Sequence, residues 1–327
     1  MSDNQKTCWQ KTCWVITDGS AGMENQALGL AEALECSITV KRIRLKQFWT
    51  LFAPFFRGLK RFCFHKESES LSPPWPDLVL ACGRRSVLPA LFIKEESKGR
   101  SQIVYLQNPK ISPKHFDVLI CPHHDKVRGK NVIKMLGAPH RVTDFELKQG
   151  YQDFASLFSK YKGPRIGVIL GGPNKVFNFS IKTVHTIIED LLKLQRDSGG
   201  SLLISPSRRT PQNVVSLFQE TFSHNPNVYI WDRTGKNPYF GLLAWSDALL
   251  ITIDSVSMTS EACATTKPIF IIRLPGGSKK FSSFHEALIQ MKRTQWFNGT
   301  FFTTPVPSFN ETKQVAQHLK KLLKWES

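Results

Sequence analysis

Short apolar runs alternate with helical patterns along the first half of the chain. Residues 23–34 place apolar side chains at helical spacing and predict a helix. Continuous apolar runs predict buried strands at 13–17, 77–83, 101–107 and 116–122, and the run SITVKRI after the first helix predicts another. Buried strands separated by helices are typical of a parallel sheet that is covered on both faces.

The pattern weakens from about Gly137 to Lys162 and then restarts. A helix is predicted at 180–195, with Ser180 as its N-cap. Further strands are predicted at 164–172, 200–207, 227–231, 247–253 and 267–272. The chain is therefore expected to be an α/β protein of two tandem Rossmann-like, doubly wound domains, residues 1–155 and 156–327. The amphipathic helix at 310–325 is expected to pack back on the first domain.

Length and composition agree with two ordinary globular domains. A chain of 327 residues exceeds the size at which single cores stop growing. It is 41% apolar and 21% charged, without a run of 18 apolar residues or a signal-peptide pattern, so we expect a cytoplasmic protein. The seven cysteines are scattered without Cys-x-x-Cys spacing, which predicts buried thiols and no metal site.

A net charge of +18 predicts an anionic partner, which could be nucleic acid, acidic lipid or a phosphorylated substrate. The segment 41–66 is basic, and its stretch Lys46–Phe62 mixes aromatic residues with Lys and Arg. This mixture suits a peripheral element on an anionic membrane surface. The alternative is a core helix with a basic rim. Stacking on single-stranded nucleic acid is less favoured, because no nucleic-acid module accompanies the segment.

In open α/β sheets, ligands bind at the carboxyl ends of the strands. Two loops of the first domain carry candidate residues there. The loop TDGSAGMENQ offers a polar turn on the acceptor side, with Asp18, Gly19, Gly22, Glu24, Asn25 and Gln26, although a capped strand-to-helix turn is the plainer alternative. The loop CPHHD offers an acid or base in His124 or Asp125, and its adjacent histidines point apart, which argues against one metal.

Three strand-end loops of the second domain offer anion ligands. In the first two loops, glycine amides and polar or basic side chains are expected to bind phosphate oxygens. These residues are Gly171, Gly172, Asn174 and Lys175 in the first loop and Ser207, Arg208 and Arg209 in the second. The third supplies Asp254, Ser255, Ser257, Ser260 and Glu261. Glu261 is expected where a helix begins, ionised and accepting hydrogen bonds from a ribose. The alternative for that loop is a capping motif that runs from Ser257 to Glu261.

Taken in order, seven motifs resemble the mitochondrial-fission Elm family: TDGSAGMENQ, PDLVLACGRRS, VYLQNPK, FDVLICPHHD, GVILGGPNKVFNFS, SPSRRTP and DSVSMTSEA. The second half is also similar to glycosyltransferases of the GT-B type, such as the enzyme that forms lipid II. That resemblance implies two domains facing a cleft, with Gly171, Gly172, Ser260 and Glu261 matching donor-site positions. It implies an acid or base from the first domain, a role open to Asp18 or His124. Asp18 stands where the lipid-II enzyme has His.

The expected function is a metal-independent glycosyltransferase that uses a nucleotide-diphosphate sugar, with no other cofactor. Its catalytic candidates are Asp18, His124 and Asp125. The acceptor is expected to be lipid-linked or part of an envelope glycan. Two alternatives stay open: a non-catalytic membrane-associated scaffold of the Elm family, and a sugar-nucleotide epimerase of the same fold.

Overall fold

The structure is a computed structural model that describes residues 10–52 and 62–325, in two compact units. The first unit contains the described residues up to Arg141 together with those from Glu311 onward. The second unit runs from Val142 to Asn310.

The first unit is built on a parallel sheet of six described strands in the order β2-β1-β3-β4-β5-β6. The strands are β1 (Thr12–Thr17), β2 (Ser37–Arg42), β3 (Leu78–Cys82), β4 (Gln102–Leu106), β5 (Val118–Pro122) and β6 (Val132–Met135). Its helices include α1 (Ala21–Ala33), α2 (Gln47–Phe52) and α3 (Val87–Glu96). Every residue of β3 is buried, so this strand needs the continuous apolar run that the sequence supplies.

The second unit has a parallel sheet of six described strands in the order β12-β11-β10-β7-β8-β9. The strands are β7 (Arg165–Leu170), β8 (Ser201–Pro206), β9 (Val228–Ile230), β10 (Ala248–Thr252), β11 (Ile269–Ile272) and β12 (Thr294–Trp296). The helices are α4 (Asp144–Asp153), α5 (Ala155–Phe158), α6 (Ile181–Ser198), α7 (Gln212–Phe222), α8 (Tyr239–Trp245), α9 (Val256–Cys263) and α10 (Lys279–Gln290). This architecture confirms the predicted tandem of doubly wound α/β domains.

Capping residues end and begin the long helix α6. The Ser180 hydroxyl accepts the Thr183 N–H at its start, and Gly199 adopts a left-handed conformation at its end, with φ of 61°. Both features follow the usual chemistry of helix termini. The N-cap fixes where the polypeptide leaves β7, at the edge of the sheet where ligands are expected, and Gly199 fixes where it enters β8, at the opposite edge.

The units divide earlier than the expected boundary at residue 155. That residue begins α5, which lies in the second unit, as does α4 before it. Helix α4 packs on α8 so closely that a Cβ on Gly150 would lie 2.7 Å from the Gly241 backbone nitrogen. The hydrophobic pattern predicts the domain boundary just before the strands resume, near residue 155. The packing of α4 on α8 assigns α4 to the second unit, so the boundary lies before that helix.

The last helix, α11 (Glu311–Leu322), belongs to the first unit. Val315 and Leu319 are buried in the cluster that also contains Leu30 of α1. The Glu311 carboxylate accepts hydrogen bonds from the backbone N–H groups of Leu136 and Gly137, at 2.7 and 2.6 Å. The end of the chain thus completes the core of the first domain.

The basic aromatic segment 41–66 is described only in part, because residues 53–61 lie outside the described ranges. In α2, Trp49 is buried with Leu45, Cys63 and Leu88, as a core helix would require. Phe48 and Phe62 are 56% and 63% exposed. Among the described helices, none combines the length and the apolar character that crossing a membrane requires.

Candidate functional site

Three strand-end loops of the second domain converge on Asp254, whose side chain has no exposed surface. One carboxylate oxygen accepts the Thr252 hydroxyl at 2.7 Å. The other accepts the Gly172 N–H at 3.1 Å and the Arg209 guanidinium at 2.6 Å. A buried carboxylate of this kind is stable only when its oxygens are bonded and its charge is paired. Asp254 therefore ties the loops after β7 and β8 to the end of β10.

Gly171 and Gly172 are required by this packing. A Cβ on Gly171 would lie 2.1 Å from an Asp254 carboxylate oxygen, and one on Gly172 would lie 2.1 Å from the Arg209 carbonyl oxygen. The Gly171 N–H donates to the Thr252 hydroxyl at 2.7 Å, so both glycine amides are already bonded within the protein. The sequence analysis assigned this loop to phosphate, but the structure gives its two amides internal acceptors instead.

The Asn174 side chain also serves the loop itself. Its oxygen accepts the N–H groups of Val176 and Phe177, and its nitrogen donates to the Asp254 carbonyl at 3.2 Å. The neighbouring Lys175 is exposed and has no ion pair or hydrogen bond to any residue that the structure describes. Of these two predicted phosphate ligands, the lysine is the one with its donors available.

The two arginines after β8 have different environments. Arg209 pairs with Asp254 and also donates to the Gly172 carbonyl at 3.2 Å. Arg208 is exposed and makes no ion pair or hydrogen bond within the described parts of the chain. Ser207 shares a hydroxyl contact of 3.3 Å with Thr210. Arg209 and Ser207 thus shape the loop, and Arg208 is its cation without a partner among the described residues.

Arg233 is a member of this cluster that the sequence analysis missed. Its guanidinium donates to the Ser207 carbonyl at 2.8 Å and also to the Thr210 carbonyl. Its backbone has a φ of 71°, and its Nε atom is buried without a hydrogen bond to the described residues. The turn sequence Asp-Arg-Thr-Gly was a local signal for such a conformation, but its contact with the loop after β8 comes from the fold.

The serines around α9 mainly build the helix. Ser255 is the N-cap, and its hydroxyl accepts the Met258 N–H at 3.3 Å. The Ser260 hydroxyl, in a residue that is 8% exposed, donates to the Val256 carbonyl at 2.9 Å. Ser257 lies in the first turn. The capping motif predicted from Ser257 to Glu261 is therefore wrong in its position, because the N-cap lies two residues earlier, at Ser255.

Glu261 differs from its expected setting in two ways. It lies in the second half of α9, away from the N-terminus of the helix, and it accepts a hydrogen bond of 2.5 Å from the Tyr239 hydroxyl. Burial raises the pKa of Glu261 to about 7, against the smaller lowering effect of the Tyr239 hydrogen bond. The inference that a helix N-terminus keeps this carboxylate ionised is therefore wrong, because the helix begins at Val256.

The segment after β1 contains ion pairs that hold two of its predicted residues, Asp18 and Glu24. Asp18 accepts the Ser20 N–H at 3.0 Å and pairs with Arg85 at 3.3 Å. Glu24 is held by Arg42 of β2 through bonds of 3.2 and 2.8 Å. Gly19 adopts a backbone φ of 84°, which favours glycine. The φ of Gly22 is not positive, so its backbone does not require glycine, and the Asn25 side chain is exposed.

Amide side chains lie at the ends of the neighbouring strands. The Gln26 oxygen accepts from the Gln107 side chain at 3.1 Å. The Asp125 carboxylate accepts from the Asn108 side chain at 3.3 Å, and His124 beside it is exposed.

The three predicted catalytic residues of the first domain do not form one cluster. Asp18 follows β1, whereas His124 and Asp125 follow β5, and β3 and β4 lie between these strands. Three strand spacings correspond to about 14 Å. Asp18 and Asp125 therefore cannot both contact one reacting atom. In the described parts of the chain, no group of three or more His, Cys, Asp or Glu is arranged to hold a metal ion.

Comparison with known proteins identifies a family over nearly the whole chain. The family model described as Mitochondrial fission ELM1 matches residues 21–323. The mitochondrial fission protein ELM1 of Arabidopsis thaliana is 27% identical over 274 residues, covering 76% of this chain and 64% of that protein. An uncharacterized protein of Rickettsia prowazekii is 29% identical and covers 95% of this chain and 98% of its own.

A solved structure with the same fold is the UDP-GlcNAc 2-epimerase of Methanocaldococcus jannaschii. It matches with a TM-score of 0.59 at 12% identity, over 96% of this chain and 99% of the enzyme. The same enzyme in complex with UDP-GlcNAc and UDP matches with a TM-score of 0.53. At this identity the likeness concerns the fold alone. It establishes the two doubly wound domains as GT-B-like.

Proposed function

The chain belongs to the mitochondrial fission ELM1 family, and from this premise we propose that it is a metal-independent glycosyltransferase whose second domain binds a nucleotide-diphosphate sugar. One observation carries the proposal: the buried Asp254 holds three strand-end loops together at the edge where ligands of open α/β sheets bind. We call Asp254 and the residues bonded to it the frame. Because the frame already holds the loops in place, their exposed side chains need little further ordering when a ligand binds, which lowers the entropic cost of binding.

The proposed diphosphate ligands are the cations that the frame leaves unpaired. Arg208 and Lys175 are exposed at adjacent strand ends, on the loops after β8 and β7. The first N–H groups of α9 face the same edge, where a helix N-terminus favours an anion. In this scheme Arg209 acts indirectly, by holding the loop that carries Arg208.

The proposed ribose ligand is Glu261, beside Tyr239. A carboxylate can accept hydrogen bonds from both vicinal hydroxyls of a ribose. With a pKa of about 7, Glu261 is poised between its neutral and ionised forms near neutral pH. Binding to the hydroxyl groups would favour the ionised form.

The proposed chemistry relies on orientation and on charge. Transfer of the sugar leaves a nucleoside diphosphate, and Arg208, Lys175 and the α9 amides would stabilise its developing negative charge. Holding donor and acceptor together supplies the rest of the rate enhancement. The acceptor, lipid-linked or an envelope glycan, would need a base to remove its proton, and Asp18, His124 and Asp125 of the first domain are the candidates.

The first test is binding of nucleoside diphosphates to three variants, measured by calorimetry without metal. Arg208→Ala should weaken binding about tenfold or more, since charge-assisted hydrogen bonds contribute about 1.5–3 kcal/mol. Glu261→Ala should weaken binding of the nucleotide and leave inorganic pyrophosphate unaffected. The matched control is Arg196→Ala, an exposed arginine in the last turn of α6. Unchanged affinity in both site variants would overturn the assignment.

A sugar-nucleotide epimerase is the second candidate, because the structural neighbour with a TM-score of 0.59 is a UDP-GlcNAc 2-epimerase. The two reactions differ in what they require. An epimerase converts the nucleotide sugar alone, whereas a transferase releases nucleoside diphosphate only in proportion to an acceptor. Product formation from donor alone would replace the transferase proposal. Binding without any turnover would favour a scaffold, as the family's association with mitochondrial fission suggests.

We also propose that the exposed aromatic residues near α2 contact an anionic membrane surface. Phe48 and Phe62 are each more than half exposed, next to Lys46 and other basic residues. Co-sedimentation with phosphatidylglycerol vesicles should fall in the variant Phe48→Ala/Phe62→Ala. Phe145→Ala, which removes a 71% exposed aromatic ring from the second domain, is the control. Equal sedimentation of all variants would exclude this contact.

A further inference from the structure

A groove lies on the second domain, between the first half of α6 and the end of β11. Its volume is about 660 Å³, within the range of sites that hold small organic molecules. Ile187 of α6, Ile272 of β11 and Phe297 after β12 form its apolar walls. Ile187 and Ile272 belong to one buried cluster, which shows that α6 covers this face of the sheet.

The groove has two cations at one end. Lys182 lies in the first turn of α6, and Arg273 directly follows β11. A crossover helix runs antiparallel to the strands that it connects, so the first turn of α6 and the end of β11 lie at the same edge. Neither side chain forms an ion pair or a hydrogen bond with the residues that the structure describes.

Arg273 is held in place although no carboxylate among the described residues pairs with it. Its guanidinium lies 4.2 Å from the centre of the Trp296 ring, a cation–π contact. This contact fixes the planar group and leaves its N–H donors available for a bidentate bond to an anion. Such preorganisation lowers the cost of binding compared with a mobile surface arginine.

The far end of the groove carries the opposite charge. Asp190 lines it eight residues beyond Lys182, or about 12 Å along the helix axis. Burial raises the pKa of Asp190 above its ordinary value, with a further contribution from Glu189. A ligand with anionic groups at both ends would meet repulsion at Asp190. The groove therefore suits a molecule with one anionic end and an uncharged body.

We propose that this groove binds an organic monophosphate with an apolar or aromatic body. Its phosphate lies between Arg273 and Lys182, and its body packs along Ile187, Ile272 and Phe297 towards Asp190. A monophosphate fits better than a free inorganic ion, because the apolar walls contribute only when a body is attached.

The groove is distinct from the proposed ribose ligand Glu261, although its cationic end lies at the same edge of the sheet as Lys175. In the strand order, β8 lies on one side of β7 and β11 lies on the other side of β10. Right-handed crossovers then place α6 and α9 on opposite faces of the sheet. Glu261 of α9 and the groove beside α6 are therefore on different faces, and either proposal can fail without the other.

The test is calorimetric titration of the full chain with 1-naphthyl phosphate at fixed ionic strength, compared with 1-naphthol and inorganic phosphate. We expect one site per chain, with both comparison compounds at least about tenfold weaker. Arg273→Ala and Lys182→Ala should each weaken 1-naphthyl phosphate about tenfold or more. Arg196→Ala on the same helix, and Glu261→Gln on the other face, should leave its affinity within about twofold.

Four results would overturn the proposal. They are no binding of 1-naphthyl phosphate, equal binding of inorganic phosphate, equal binding of 1-naphthol, and unchanged affinity in Arg273→Ala. Circular dichroism of each variant checks that the domain is folded. If Arg273→Ala does not fold, Arg273→Lys serves instead: it keeps the charge but loses the planar bidentate geometry, and we expect it to weaken binding by a smaller factor.

Discussion

At the scale of single residues, the pair formed by Arg209 and Asp254 has an asymmetric environment. The Asp254 side chain is fully buried, whereas that of Arg209 is 42% exposed. Removing the arginine therefore leaves a buried charge without its partner, while removing the aspartate leaves an arginine that water can reach. The neighbouring Arg208 is exposed and unpaired among the described residues.

This asymmetry predicts the effect of substitution on stability. Arg209→Ala should reduce the free energy of unfolding by about 3 kcal/mol or more, because it leaves the buried Asp254 carboxylate without its cationic partner. Arg208→Ala, one residue away, should change it by no more than about 0.5 kcal/mol. Urea unfolding of both variants checks this. Equal effects would mean that Asp254 does not depend on Arg209.

Glu261 predicts a pH dependence of stability. Its pKa is about 7 in the folded protein, raised from 4.5. Between these values the unfolded chain releases the proton before the folded protein does, so stability falls as pH rises from about 4.5 to 7 and is then constant. A shift of this size corresponds to at most about 3 kcal/mol.

Glu261→Gln removes this titration. We therefore expect the variant to gain stability relative to the unmodified protein between pH 5 and pH 8, as measured by the difference in melting temperature at each pH. Ser282→Ala, which replaces a neutral, exposed side chain on α10 in the same domain, is the control and should show no such trend. A difference that is the same at both pH values would contradict the assigned environment of Glu261.

At the scale of elements, the apolar pattern predicted the central strands and the edge strands β2 and β9, but it missed the other edge strand of each sheet, β6 and β12. In β6 (Val132–Met135), a lysine interrupts the apolar run and burial alternates. Strand β12 (Thr294–Trp296) has only three residues. Edge strands are often short and carry charge, which removes the continuous run that identifies central strands.

The candidate site could be predicted only in outline. Its loops follow from the rule that ligands bind at strand ends, so the glycine and serine motifs predicted the sheet edge at which these loops meet. The roles within that edge depend on contacts between distant residues. Asp254 meets Gly172 and Arg209, and Tyr239 meets Glu261, through the fold. These pairs join residues that are far apart in the sequence, so no local sequence pattern predicts them. The structure was needed to tell the residues that hold the loops together from the cations that remain exposed.

Helix α1 offers a matched pair of glycines. A Cβ on Gly29 would lie 2.3 Å from the His140 carbonyl oxygen, whereas nothing lies within 4 Å of one on Gly22. Gly29→Ala should therefore destabilise the first domain by about 1–3 kcal/mol, because the clash is with backbone. Gly22→Ala should stabilise it by about 0.5–1 kcal/mol through helix propensity. Thermal unfolding compares them, and a stabilising Gly29→Ala would show that α1 does not pack against this segment.

At the scale of the whole molecule, the first domain depends on the end of the chain. Leu319 of α11 is completely buried in its core, whereas Leu322 on the same helix is 41% exposed. Leu319→Ala should reduce the free energy of unfolding by about 2–5 kcal/mol, and Leu322→Ala by about 0.5 kcal/mol or less. In hydrogen exchange, Leu319→Ala should weaken protection in β1 and β3 and leave β7 and β10 unchanged. Weakened protection in the second sheet alone would contradict this assignment of α11.

The most direct test of the central claim is a thermal-shift screen against uridine, guanosine, cytidine, adenosine and thymidine diphosphates and their common sugars, with EDTA present. A ligand at 100 times its dissociation constant stabilises the folded state by about 2.7 kcal/mol. The account predicts that one base raises the melting temperature without metal, and that the shift is lost in Arg208→Ala but kept in Arg196→Ala. A folded protein whose melting temperature responds to none of these nucleotides would contradict the claim that its second domain is a nucleotide-sugar site.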